Sequence, residues 1–233
     1  VIRNGDNYYK YRPDSNFYYL TGFEEPDAVL LINPNHKEDK YVLFVRPKDK
    51  KQEIWTGKRA GIEGAVKNFG CDVAYTIDQF EKIIYKHLDY TSKLYYSLGL
   101  NEKLDKIIIN LISSYRSKLR NKAHGPGAII DPCEILYEMR LLKKVEEIFM
   151  LKKAVDITKK AHCTAMKITR PGMFEYEIES IIDHTFRKNG AVGPGYPTIV
   201  ATGDNATTLH YTFNDSKLKD GDLLLIDAGA EYG

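Results

Sequence analysis

The stretch Gly221-Asp222-Leu223-Leu224-Leu225-Ile226-Asp227-Ala228-Gly229-Ala230-Glu231 constrains this chain more than any other. A Gly-Asp turn leads into an aliphatic run of strand length. That run carries a carboxylate, Asp227. A charge lodged among apolar residues is costly unless something pairs with it, and a metal ion is the strongest such partner. The other reading is a carboxylate that caps a helix or meets a basic side chain. Position alone leaves both open.

The 233 residues suffice for one large domain or two smaller ones. The net charge of +2 is spread along the chain, so it leaves no electrostatic footprint for nucleic acid. Basic runs such as Lys48-Asp49-Lys50-Lys51 and Lys152-Lys153 read as solvated faces. No apolar run reaches the roughly 18–20 residues of a membrane span, and no secretory signal is present. Cys71, Cys133 and Cys163 form neither a zinc pattern nor a disulfide framework, which points to a reducing cytoplasm. The chain opens on valine and enters structure at once, so both ends are expected to be cuts.

Strands and helices alternate through the first half. Ala28–Ile32 and Tyr41–Val45 flank the turn-rich Asn33-Pro34-Asn35 and predict an adjacent strand pair. Asp78–Leu88 predicts a helix capped by Asp78, Lys93–Leu98 a strand, and Glu102–Leu119 a second helix. This order argues for an α/β layer. His124-Gly125-Pro126-Gly127 and Asp131-Pro132 are breaker clusters, and the domain boundary is placed after residue 127, giving domains 1–127 and 128–233.

The second half opens with a long helix whose face is read as Val145, Ile148, Leu151, Val155, Thr158 and Ala161. Glu146-Glu147 lies early and Lys159-Lys160 late, as the helix dipole favours. Arg170-Pro171-Gly172 ends it. A second helix, Phe174 to Lys188, presents Ile178, Ile181, Ile182 and Phe186 and stops at Gly190. A Gly193-Pro194-Gly195 loop, a strand from Pro197 to Ala201 and the Asp227 strand complete an α+β element.

His210 can shuttle a proton or steady a developing charge near neutral pH, although a lone histidine is more often structural. His162 and His184, on the helices, favour the structural reading. His36, His87 and His124 offer no pattern. There is no His-Glu-x-x-His, no Gly-rich phosphate loop and no nucleophile elbow. One carboxylate cannot hold a catalytic metal pair.

Four motifs in order carry a resemblance: Arg170-Pro171-Gly172-Met173, Tyr196-Pro197-Thr198-Ile199-Val200, Leu209-His210-Tyr211, and Asp220 to Gly229. Together they resemble the first half of a pita-bread metallopeptidase. Upstream, Tyr11 to Phe23 and Glu53-Ile54-Trp55-Thr56-Gly57 resemble the amino-terminal domain of the Xaa-Pro aminopeptidase (aminopeptidase P) family.

The resemblance implies a creatinase/aminopeptidase P N-like α/β domain followed by the first half of an α+β pita-bread domain. It implies two divalent metals, usually Mn2+, held by two aspartates, a histidine and two glutamates. Asp227 matches the first aspartate, and the other four ligands are expected past Gly233. His210 matches a histidine beside the metals, and Tyr196 a residue near the substrate pocket. Trp55 resembles a tryptophan that reaches a neighbouring subunit in tetrameric bacterial members, so a homo-oligomer is expected.

The implied chemistry is metal-assisted hydrolysis of an amino-terminal Xaa-Pro bond in a peptide with proline second. Such a bond offers no amide hydrogen, so the pocket must read the ring's shape. This chain alone is expected to be inactive and to expose apolar surface and strand edge. A prolidase, or a non-catalytic pita-bread binding protein, is the alternative.

Overall fold

The protein is described by a computed structural model covering residues 2–118 and 125–233. Leu119 and His124, which the sequence places at a helix end and in a linker, lie outside the described residues. The chain divides into two compact units, Val1–Met139 and Arg140–Gly233.

The first unit begins with β1 (Ile2–Asn4) and β2 (Asn7–Tyr8), an antiparallel pair. Helix α1 (Ser15–Thr21) follows; the Asp14 carboxylate accepts from the Asn16 and Phe17 N–H groups and so caps it. Strands β3 (Val29–Ile32) and β4 (Tyr41–Val45) pair antiparallel, as the sequence predicts. After α2 (Lys50–Thr56) and α3 (Gly61–Phe69), β5 (Val73–Thr76) adds parallel to β4, which becomes the central strand.

That position explains the unbroken apolar run of β4. Period-two alternation sends Val42 and Phe44 to one face and Leu43 and Val45 to the other, and all four are fully buried. Val42 and Phe44 pack under α4 (Phe80–Leu88) and α5 (Glu102–Lys118), against Phe80, Ile84, Ile108 and Leu111. Leu43 and Val45 pack with Phe23, Ala65, Cys71 and Ala74. The expected α/β layer is therefore a sheet covered on both faces.

Two local expectations change. Asp78 does not cap α4; it lies in a short 3-10 turn, Ile77–Gln79, that runs straight into the helix. The strand at Lys93 ends early, as β6 (Lys93–Tyr95), and pairs parallel with β7 (Ala128–Ile130). This pairing keeps residues 128–130 in the first unit. The division falls after Met139, within α6 (Cys133–Leu141), and not at the breaker cluster.

The second unit begins with α7 (Val145–Ile168) and α8 (Glu175–Lys188). Each is started by a glutamate reaching back. Glu147 accepts from the Lys144 N–H at 2.8 Å, and Glu177 from the Phe174 N–H at 2.6 Å. Proline cannot continue α7, and Gly172 makes the turn at φ +91°.

The packed face of α7 keeps Ala161 from the expected one but departs from it upstream. Val145, Leu151 and Val155 are more than half exposed, whereas Ile157, Ala161 and Ala165 are buried. The groups that cover α7 within this unit, Ile178, Ile182 and Phe186 of α8 together with Ala228, meet its carboxyl-terminal half. The apolar periodicity upstream has no partner there.

Strand β8 (Gly193–Pro194) replaces the expected loop, and β9 (Ile199–Thr202), β10 (Leu224–Asp227) and β11 (Ala230–Glu231) complete the unit. The ladders are β9 with β10 and β8 with β11, both antiparallel.

Candidate functional site

The register of β9 and β10 decides where Asp227 points. Leu224 and Ile226 turn toward the α7–α8 core, as does Val200 on β9. Their neighbours Leu225 and Asp227 fall on the opposite face by alternation, and both are exposed. Asp227 is paired directly with Ile199, which packs with Ala201 and Tyr211. The expectation of a carboxylate enclosed by apolar neighbours is thereby corrected. The strand is packed on the helices by one face only, and Asp227 stands with Leu225 on the other.

Past Asp227 the chain leaves β9 and crosses to β8. Gly195 N–H donates to the Gly229 carbonyl at 2.9 Å, and Val192 N–H to that of Glu231 at 2.9 Å. Helix α7 holds the crossing from behind. His162 Nε2 lies 3.0 Å from the Ala228 carbonyl, and the Thr158 hydroxyl accepts from Ala230 N–H at 3.0 Å. His162 is thus a structural residue.

Gly229 has a specific reason to lack a side chain. A Cβ there would come within 3.2 Å of both Cε1 and Oη of Tyr196. The ring instead lies close to the Gly229 backbone, and its hydroxyl donates to Asp227 Oδ1 at 2.7 Å. This bond, and secondarily burial, pushes the Tyr196 phenol up to about 12. Phenolate beside carboxylate is disfavoured, so the phenol remains a donor at neutral pH.

His210 lies in a turn within residues 203–216 and is exposed, flanked by the exposed apolar side chains Leu209 and Phe213. Its neighbour Tyr211 is buried on the same face of the β9–β10 ladder that bears Asp227. Trp55 belongs to the first unit. It projects from α2, which Asp49 caps, and is 85% exposed beside an equally open Ile54. His184 is exposed on α8.

Two residues that sequence reasoning passed over organise this region. Glu175 is fully buried in the first turn of α8. Its Oε1 accepts from Thr202 N–H (2.7 Å) and Asn205 Nδ2 (3.3 Å), and its Oε2 from the Tyr211 hydroxyl (2.8 Å) and Ser216 N–H (2.9 Å). Asn214, also fully buried, has φ +50°. Its amide accepts from Val200 N–H and donates to the Thr198 carbonyl, both at 2.9 Å, completing the free edge of β9 as a neighbouring strand would. In sequence Glu175 looks like any first-turn acid. An asparagine beside Asp215 hints only at a turn residue that tolerates the left-handed region.

Among the described residues, no three His, Cys, Asp or Glu side chains converge as a metal site. Asp227 is one exposed carboxylate whose Oδ1 is already engaged by Tyr196. These residues alone do not make up the donor set of a metal pair.

Residues 1–102 match the family model described as aminopeptidase P, N-terminal domain, and residues 150–233 match metallopeptidase family M24. The chain is 42% identical over 233 residues to the Xaa-Pro aminopeptidase of Escherichia coli K12, covering all of this chain and 53% of that protein. It is 31% identical over 232 residues to human Xaa-Pro aminopeptidase 3, covering 96% of this chain and 44% of that protein. The chain thus spans about half the length of the curated relatives it matches. Among solved structures, a Pseudomonas aeruginosa aminopeptidase superposes with a TM-score of 0.94 at 42% identity, over 99% of this chain and 52% of that one. A zinc-substituted E. coli aminopeptidase P in complex with product superposes with a TM-score of 0.93 at 42% identity, over all of this chain and 53% of that one.

Proposed function

Because this chain belongs to the aminopeptidase P group of the M24 metallopeptidases, with that group's amino-terminal domain followed by the start of its pita-bread domain, we propose that it is part of an enzyme that removes the first residue of peptides with proline second. The observation that carries this reading is the placement of Asp227. An exposed carboxylate sits on an otherwise apolar strand, steered by a phenol whose only chemistry there is to donate.

In this reading Asp227 supplies one ligand to a pair of divalent metals, with Mn2+ the metal expected. Bound there, such a pair would supply Lewis-acid activation of water and of the peptide carbonyl. Tyr196 engages Oδ1 of the Asp227 carboxylate and so restrains its rotamer. His210 lends a donor to the oxygen that gains charge in the tetrahedral intermediate. Leu209 and Phe213 offer apolar surface beside it, suited to a proline ring that presents no N–H. Trp55, open on α2, is read as a contact to a second subunit's site in a homo-oligomer. The free cysteines suit a cytoplasmic enzyme.

The test uses the intact protein that carries these residues, stripped by chelation and reloaded with Mn2+ or Zn2+. Cleavage of an Xaa-Pro-Xaa tripeptide, with Asp227→Ala losing both bound metal and activity, is the expected result. Preference for an Xaa-Pro dipeptide would make the enzyme a prolidase. Full activity in Asp227→Ala would overturn the assignment. The 233 residues alone should show no turnover with either metal, since no donor set comes together among the described residues.

A further inference from the structure

The buried carboxylate of Glu175 lies outside the chemistry just described, yet everything around His210 is tied to it. Its four partners come from three places: the end of β9 (Thr202), the 3-10 turn Gly203–Thr207 (Asn205), and the segment that carries His210 (Tyr211 and Ser216). Asn205 Nδ2, whose two hydrogens are shared among three acceptors, also lies 3.0 Å from the Tyr211 oxygen and 2.9 Å from Ser216 Oγ, so the partners meet one another as well. Ser216 closes the ring from the other side, its carbonyl accepting from Glu175 N–H at 3.0 Å.

All four contacts to the carboxylate come from donors. A carboxylate accepts with both oxygens, and this one sits at a helix amino terminus where negative charge is favoured. An isosteric amide cannot reproduce the set. Its NH2 would face two N–H donors or the Ser216 N–H and the Tyr211 hydroxyl, and a backbone N–H cannot reverse its role. The demand for charge is therefore stricter than a generic helix-start acid requires.

Tyr211 is the link to function. It is the residue next to His210; its hydroxyl lies 2.8 Å from Glu175 Oε2, the shorter of its two carboxylate contacts, and 3.1 Å from Asp215 Oδ1, while its ring packs on Ile199 and Ala201. His210 itself is exposed and projects from the turn just before this anchor. An exposed side chain on an irregular segment holds a fixed place only as well as the backbone beneath it is fixed.

Resting on the functional reading above, we propose that Glu175 is a positioning residue for His210, acting through Tyr211. It touches no substrate. Its carboxylate fixes residues 203–216 as one unit and so sets the orientation in which His210 meets the reacting carbonyl oxygen.

The experiment is a double-mutant cycle in the intact, metal-loaded protein: Glu175→Gln, His210→Ala and the pair, with metal content and thermal midpoint recorded for each. Glu175→Gln should lower kcat/KM roughly tenfold with bound metal unchanged, and should add less than about twofold once His210 is alanine, since residues acting as a unit are non-additive. A full tenfold loss in the His210→Ala background, or loss of metal, would overturn the proposal by showing that Glu175 acts elsewhere. Histidine side-chain NMR supplies a second readout that needs no activity. Glu175→Gln should shift or broaden the His210 imidazole signal while leaving His162 and His184 in place; an unmoved His210 signal refutes positioning. Should His210→Ala prove fully active, the functional reading fails, and the NMR result still decides whether Glu175 orders this segment.

Discussion

The phenol of Tyr196, in the link between β8 and β9, donates a 2.7 Å hydrogen bond to Oδ1 of Asp227, the last residue of β10. Neither residue is deeply buried, yet the bond is enough to push the phenol up to about 12 from its ordinary 10.0. Several measurable consequences rest on this pair and on the buried polar groups behind it.

In the difference between the tyrosine absorbance titrations of the wild-type and Asp227→Asn proteins, the Tyr196 phenol should move from near 12 down toward 10.0. The sign for stability follows. The folded state holds this proton more tightly than the unfolded state, so the contribution is complete below the unfolded value. It is lost as pH rises through the folded one, in a window from about 10 to about 12. Because Tyr196 is 46% exposed, solvent screening makes the contribution small.

Gly229→Ala tests the close approach independently of charge. The new methyl would stand 3.2 Å from the Tyr196 ring and hydroxyl, so the ring must give by a few tenths of an ångström. The expected outcome is a stability loss of about 1 kcal/mol, measured by urea unfolding, with the Tyr196 phenol shifted down as its bond to Asp227 weakens.

Asn214 separates hydrogen bonding from backbone conformation. Asn214→Gly keeps access to φ +50° and loses the two bonds that complete the β9 edge. This should cost about 2–3 kcal/mol, since a buried N–H and a buried carbonyl are left unpaired. Asn214→Ala loses the same bonds and adds left-handed strain, for about 1 kcal/mol more. Equal losses for the two variants would show that the positive φ relaxes when the amide is gone.

In the first unit, His87 is buried against His36, with ring centroids 4.3 Å apart, and its Nδ1 has no hydrogen-bond partner among the described residues. Burial and, after it, the neighbouring His36 lower its pKa from 6.5, with Lys86 acting the same way and Asp39 opposing. The unfolded chain therefore takes up this proton first. Stability is complete above 6.5 and is lost as pH falls through the lower folded value. His87→Phe should flatten the dependence of the urea midpoint on pH below 6.5; an unchanged slope would assign the acid sensitivity to other groups.

The elements were legible where a single periodicity spans enough residues. The β3–β4 pair, α5, and the Ile178, Ile182 and Phe186 face of α8 emerge as read. The amino-terminal half of the α7 face did not, although Ala161 is buried as read, because periodicity reports which residues seek burial and says nothing of where a partner surface lies. Asp227 was found by its type and strand context, whereas Tyr196 and His210 came from the order of motifs. Glu175 was invisible, since nothing in Phe174-Glu175-Tyr176 distinguishes a solvated first-turn acid from a buried one.

What the sequence determined by itself is local: backbone preference, apolar spacing, and the presence of a carboxylate at the end of an aliphatic strand. Those follow from short-range sterics and from side-chain chemistry carried by each residue wherever it sits. Tertiary structure decided which face of β10 meets the helices, and so turned Asp227 outward. It also brought residues 202–216 back onto α8, making Glu175 the buried hub of four donors. Burial and hydrogen-bond partnership depend on segments far apart in the chain, and their energies exist only once those segments meet.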